Sequence, residues 1–158
     1  MAAIGDVDEA NSAIGLASLH LDDERHRSML RRIQNEMFDL GADLATPGDD
    51  FEPSEMVLRI VTAQVERLER EIDRMNEGLE PLRSFILPGG SAAYLHLARA
   101  IVRRAERSLV AAAAAAPVNP QATAYINRLS DHLFVLARLV ARDEGGDISW
   151  QPGATRGS

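Results

Sequence analysis

The chain has 158 residues, of which 46% are hydrophobic and 4% aromatic, with a formal net charge of −7 and no cysteine. That length suits one domain able to bury a core built from Leu, Ile, Val, Ala and Met, which favours helices. The acidic balance argues against non-specific nucleic-acid binding. Absent cysteines exclude disulfides, thiolate zinc sites and thiol nucleophiles, and no run is apolar enough for a membrane span, so the expectation is a cytoplasmic protein without leader or membrane contact.

Taken in order, the pattern predicts five helices, at about 6-22, 25-45, 54-78, 91-115 and 121-142, in an all-α, up-and-down bundle. The first opens with Asp6, Asp8 and Glu9, which ordinary capping and dipole pairing would explain. The second carries Leu30, Ile33, Met37, Leu40 and Leu44 at helical spacing until Pro47-Gly48 stops it. The third has the seam Leu58, Val61, Val65, Leu68, Ile72, Met75, Leu79, with a charge run between that reads as a solvated face.

Phe85-Ile86-Leu87-Pro88 then makes an apolar turn, in which Phe85 reads as a plug for the end of the bundle. Gly89-Gly90-Ser91 can either offer backbone N-H groups to an anion or supply a plain serine N-cap. The fourth helix buries Leu95, Ala98, Val102, Ala105, Leu109 and Ala112 and presents the stripe His96, Arg99, Arg103, Glu106 at steps of three, four and three. Two guanidiniums one turn apart can clamp a polyphosphate, or can join a salt-bridge ladder with Glu106 and Asp131. His96 fits a packed core histidine equally well.

Pro117 and Pro120 precede the last helix, with seam Ala122, Ile126, Leu129, Leu133, Leu136, Val140 and a polar face holding Asn127, Arg128 and Asp131. Beyond Gly145-Gly146 the chain is expected to be a partly ordered tail, 145-158, docked by Trp150 and fraying from Gly153 to Ser158. The four histidines show no HExxH pair and no Glu-x-x-His repeat, so a di-iron site is not expected.

Four blocks carry a family resemblance: GDVDEANSAIGLA at 5-17, IQNEMFDLGADLATP at 33-47, FILPGGS with LHLAR and RRAER between 85 and 107, and YINRLSDHLFVLAR at 125-138. In this order they resemble the PduO-type ATP:cob(I)alamin adenosyltransferases, and GDISWQPG at 147-154 is similar to the end of some bacterial members. The resemblance implies a homotrimer with sites between subunits. It implies transfer of the 5′-deoxyadenosyl group of ATP to the cobalt of cob(I)alamin, with Mg2+, giving adenosylcobalamin and triphosphate.

It also implies roles residue by residue. Arg103 would contact the ATP phosphates, and Arg99 would pair with Asp8 across the subunit interface. Phe85 would lie against the corrin and keep its lower ligand from cobalt. Asn127 would join the nucleotide and cobalamin site with Arg128 and Asp131 near it, while Glu106 and His96 are further candidates. The family's TGDxGxT-type phosphate loop precedes the VDE motif and is not among these residues, and the spacer from Gly90 to His96 reads as two residues short. The rival expectation is therefore a non-catalytic trimeric bundle that binds corrinoid or ATP; a helical scaffold with no small ligand is a third.

Overall fold

The structure is a computed structural model and describes residues 2–157. Its helices are α1 (Ala2–Ser18), α2 (Glu24–Ala45), α3 (Thr62–Asn76), α4 (Ala92–Ala115) and α5 (Pro120–Asp143), with two short strands, β1 (Ile86–Leu87) and β2 (Ile148–Ser149). The expected five-helix bundle is present. Around its core the neighbours run α2, α1, α4, α5, α3: α1 packs on α4 and α2, α4 on α5, and α5 on α3. The seams of α4 and α5 face inward as their spacing requires, from Leu95 to Leu109 and from Ala122 to Val140. Helix α1 approaches α2 closely at Gly15, where a Cβ would stand 2.8 Å from the terminal amide of Gln34 and would have to displace it.

Three boundaries differ from the sequence reading. Helix α1 begins at Ala2, so Asp6 and Glu9 lie past its first turn and do not cap it. They serve α4 instead: Asp6 accepts from the Ser108 hydroxyl and pairs with Arg104 at 3.7 Å, and Glu9 pairs with Arg104 directly. Helix α3 begins at Thr62 rather than 54, because residues 54-61 are extended or turned. Leu58, expected in its seam, is therefore exposed, and Ile60 is buried in its place.

The cause lies in a polar hub that helical geometry could not reach. Asp43, at the end of α2, is 3% exposed. Its carboxylate accepts from Arg59 at 2.9 Å, from the Ile60 N-H at 2.8 Å and from the Asn119 amide at 2.7 Å. Arg59 also donates to the carbonyls of Asp43 and Thr46, while Asn119 donates to the Ile60 carbonyl and accepts from the Gln121 N-H as the cap of α5. Burying a carboxylate is tolerable only with such full pairing. Extended backbone at 59-61 is what turns a side chain and an N-H toward the same acceptor.

A second network fills the space between α2 and the α3-α5 pair. Glu36 accepts from the Tyr125 hydroxyl at 2.8 Å and pairs with Arg67 and with Arg32, the latter at 3.7 Å. Arg32 also reaches Glu71 at 2.8 Å, and Glu71 meets the fully buried His132 at 2.9 Å. Burial pushes the Tyr125 phenol well up, reinforced by Glu36. For Glu71, burial works upward, but the hydrogen bonds from His132 and Arg32 outweigh it and hold the carboxyl below its ordinary value.

The third difference is the tail. It pairs with the loop before α4, in register Ile86 with Ser149 and Leu87 with Ile148. The segment expected to fray, Gly153 to Ser158, contains turns in which the Ala154 N-H donates to the Gln151 carbonyl and the Arg156 N-H to the Gly153 carbonyl; Ser158 lies outside the described residues.

Two outcomes follow for stability. Asn119→Ala removes the α5 cap and a donor to buried Asp43, so it should cost about 2–3 kcal/mol, read as a lower urea midpoint at unchanged slope. Because the folded pKa of Glu71 is depressed, its stabilisation is complete above its ordinary value of 4.5 and is lost as pH falls through the lower folded value. Glu71→Gln should therefore flatten the acid side of the stability profile; a profile parallel to wild type would refute the assignment.

Candidate active site

Helix α4 displays the expected stripe, and the loop before it brings Phe85 alongside. A cavity of about 780 Å³ is lined by Phe85, Ile86, Pro88, His96, Arg99, Phe134 and Trp150, among others. Phe85 is no plug: it is 77% exposed and stands at the cavity edge. The short spacer thus still sets Phe85, His96 and Arg99 around one space.

Within it, the aromatic rings engage the stripe. Arg99 lies over the Phe134 ring at 5.0 Å and His96 meets the same ring edge-on at 6.1 Å. Burial and then the charge of Arg99 push the His96 imidazole below its ordinary value, with Asp147 opposing. His96 is therefore a neutral, half-buried group at physiological pH.

Further along α4 the stripe turns polar. Arg103 pairs with Glu106 at 2.6 Å, and the other Glu106 oxygen accepts from the Asn127 amide at 2.8 Å. A second groove, about 550 Å³, runs beside them and is lined by Val65, Glu69, Glu106, Thr123, Asn127 and Arg128. Arg128 bridges Glu69 at 3.1 Å and Asp131 at 2.8 Å. The ladder considered for Arg99 and Arg103 is thus half formed. Glu106 takes Arg103, but Asp131 takes Arg128, and Arg99 is left to the aromatic ring.

Seven of the nine site residues expected from the sequence line these two spaces or pair across them. Those are Phe85, His96, Arg99, Arg103, Glu106, Asn127 and Arg128. Asp131 is one bond removed, through Arg128. Asp8 stands apart, exposed on α1 with no ion pair among the described residues. Arg104 does point off the stripe, to Glu9.

The start of α4 holds no serine cap. Ser91 turns its hydroxyl to the Glu144 carboxylate, which also accepts the Ser91 N-H at 3.0 Å. The anion-binding end considered for Gly89-Gly90-Ser91 is thus occupied by the chain's own carboxylate. Gly90, at φ +58°, is required there, since a Cβ would meet a Glu144 oxygen at 2.3 Å.

Two wall residues escaped the sequence reading. Phe134 follows Asn127 and Asp131 at steps of four and three, so helical spacing places it on their face. Trp150 was expected only to dock the tail. Among the described residues no group of three or more His, Asp or Glu side chains is placed to hold a metal ion. No described helix is long and apolar enough to cross a membrane.

The family model for cobalamin adenosyltransferase matches residues 1–140. A corrinoid adenosyltransferase of Mycobacterium tuberculosis is 48% identical, covering 99% of this chain and 82% of that protein. The corrinoid adenosyltransferase PduO of Salmonella typhimurium is 44% identical over 86% of this chain and 40% of its own length. Among solved structures, a variant PduO-type ATP:corrinoid adenosyltransferase from Lactobacillus reuteri, complexed with cobalamin and ATP, superposes with a TM-score of 0.83. It is 37% identical, over 95% of this chain and 84% of that one. A matched family model over most of the length, relatives near half identity and the shared bundle agree: this chain belongs to the cobalamin adenosyltransferase family.

Proposed function

We propose that the protein is an ATP:cob(I)alamin adenosyltransferase. The observation that carries this reading is an aromatic-walled cavity opening beside two arginines one helical turn apart, in a chain of this family. The wide, largely apolar space between Phe85 and Phe134 suits a corrin face. The polar groove past Arg103 suits a nucleotide.

In this reading cob(I)alamin is the nucleophile. Its cobalt electron pair attacks the ribose 5′ carbon, the cobalt-carbon bond forms, and the carbon-oxygen bond breaks with its electrons leaving on triphosphate. No proton moves, so no catalytic base is required, which fits a site whose one imidazole is held neutral. The protein contributes position and charge. Phe85 covers the lower corrin face, excluding the lower ligand and water, and His96 and Phe134 supply apolar support.

Arg103 must exchange Glu106 for phosphate oxygens; both are charge-assisted pairs, so the exchange is close to balanced until leaving-group charge develops. Glu106, released, still holds Asn127 against the nucleotide. Mg2+ belongs to this reading as an ion carried by the ATP phosphates. Asp8 and Arg99 supply the argument for assembly: each is a charge without an ion pair among the described residues, and in a homotrimer Asp8 of one subunit would pair with Arg99 of the next, completing the site. A cytoplasmic setting supplies the ATP.

The direct test mixes the protein with chemically reduced cobalamin, ATP and Mg2+ and follows adenosylcobalamin by its visible spectrum. Turnover is expected; a repeated absence would leave the non-catalytic binding bundle. Arg103→Ala should lower kcat by about 100-fold or more through lost transition-state charge stabilisation, with a smaller effect on cobalamin binding. An Arg103→Ala protein with wild-type kcat would reject the phosphate role.

A further inference from the structure

The tail after α5 is bound to the loop that carries Phe85 far more closely than a terminal segment needs. The Trp150 N-H donates to the Phe85 carbonyl at 2.8 Å, and the Ser84 hydroxyl donates to the Trp150 carbonyl at 2.8 Å. These two bonds extend the β1-β2 pairing beyond Ile86 and Ser149, so residues 84-87 and 148-150 form one small ribbon. At its end the indole and phenyl rings meet at 5.7 Å, tilted by 58°. Among the described residues, Trp150 is the only ring that Phe85 touches.

The ribbon is anchored at its other end by ionic contacts. Arg138 of α5 donates from Nε to Asp147 at 3.0 Å and from its other nitrogen to the Glu80 carbonyl at 2.6 Å, tying the tail and the loop to one helix. Both Arg138 and Asp147 are largely shielded from solvent. Glu144, three residues earlier, holds the start of α4. The tail therefore leaves α5, pins α4 and the Phe85 loop, and sets an indole behind the phenyl ring at the cavity rim.

We propose that segment Asp147–Trp150 is a strap that fixes the pose of Phe85, and that Trp150 is a positioning residue for the adenosyl transfer. This rests on the transferase reading above. An exposed phenyl ring on a loop is free to change rotamer; a second ring in tilted contact, with both backbones paired, removes that freedom before substrate arrives. Trp150 also lines the cavity, but its N-H and its ring both engage Phe85, and it is through that residue that it is proposed to act.

Two measurements decide it. The first needs no substrate: Trp150 is the single tryptophan, so its emission reports the contact. In the ligand-free protein, Phe85→Ala should shift that emission to longer wavelength and lower its anisotropy. The second compares Trp150→Ala, Trp150→Phe, Phe85→Ala and the double Phe85→Ala/Trp150→Ala protein in turnover, and in the spectrum of bound cob(II)alamin with ATP, which distinguishes lower ligand on from off.

Trp150→Ala should lower kcat about 10-fold with KM for ATP changed less than about twofold, and reduce the ligand-off fraction; Trp150→Phe should restore most of both. In the Phe85→Ala background the same substitution should cost less than about twofold more, as coupled residues do. An unchanged emission in Phe85→Ala, or an equal loss from Trp150→Ala in both backgrounds, overturns the strap while leaving the transferase reading intact. A wild type that makes no adenosylcobalamin overturns the transferase reading, whatever the emission shows.

Discussion

Two carboxylates on α2, Asp43 and Glu36, are buried and charged, and the bundle is arranged so that neither lacks donors. An unpaired buried carboxylate costs several kcal/mol, on the order of a domain's whole stability. Matching them fixes much else. Asp43 decides that residues 59-61 run extended and that Asn119 stands at the start of α5. Glu36 decides that Arg67 of α3 and Tyr125 of α5 face α2 across a seam of charge rather than of leucine. With α5 placed from both sides, its remaining faces supply Asn127, Arg128 and Phe134 to the site.

The site itself is a set of interrupted alliances. In the free protein Arg103 rests on Glu106, Arg99 on a phenyl ring, and Arg128 between two acids. Each arginine is therefore held in place without being buried. Under the proposed function, cations held on partners of modest strength would keep the ordering cost low when a polyanion arrives. The aromatic half differs in kind, since its shape is set by backbone pairing and by the Arg138 contacts and is already present.

Much of this was legible in the sequence. The inward seams of α4 and α5, and the stripe from His96 to Glu106, follow from helical spacing alone, and the four family blocks named most of the residues that line or adjoin the two spaces. Spacing failed at Leu58 and Val61, which continue the α3 repeat perfectly in sequence yet lie outside the helix. There the apolar pattern competed with a buried ion pair between residues 16 positions apart, and nothing local announces such a pair. Asp6 and Glu9 misled for a similar reason: an acid near a helix start reads as a dipole partner until Arg104 of α4 is seen opposite. Glu144 and Trp150 were invisible as elements of this region because their partners, Ser91 and Phe85, are distant in sequence, Ser91 by 53 residues, and lie in a different loop.

The order in which helices meet has a consequence for how the protein is made. Of the first three helices only α1 and α2 pack extensively on each other; α1 finds its main partner in α4, and α3 in α5. The Asp43–Asn119 bond spans 76 residues and Asp6–Ser108 spans 102. A chain emerging from the ribosome at about 5–20 residues per second therefore spends several seconds with half its helices synthesised and no enclosed core. During that interval the charged surfaces of α2 and α3, rich in both arginine and carboxylate, keep the nascent segment dispersed, so the charges later locked between those helices first serve as its solubilising coat.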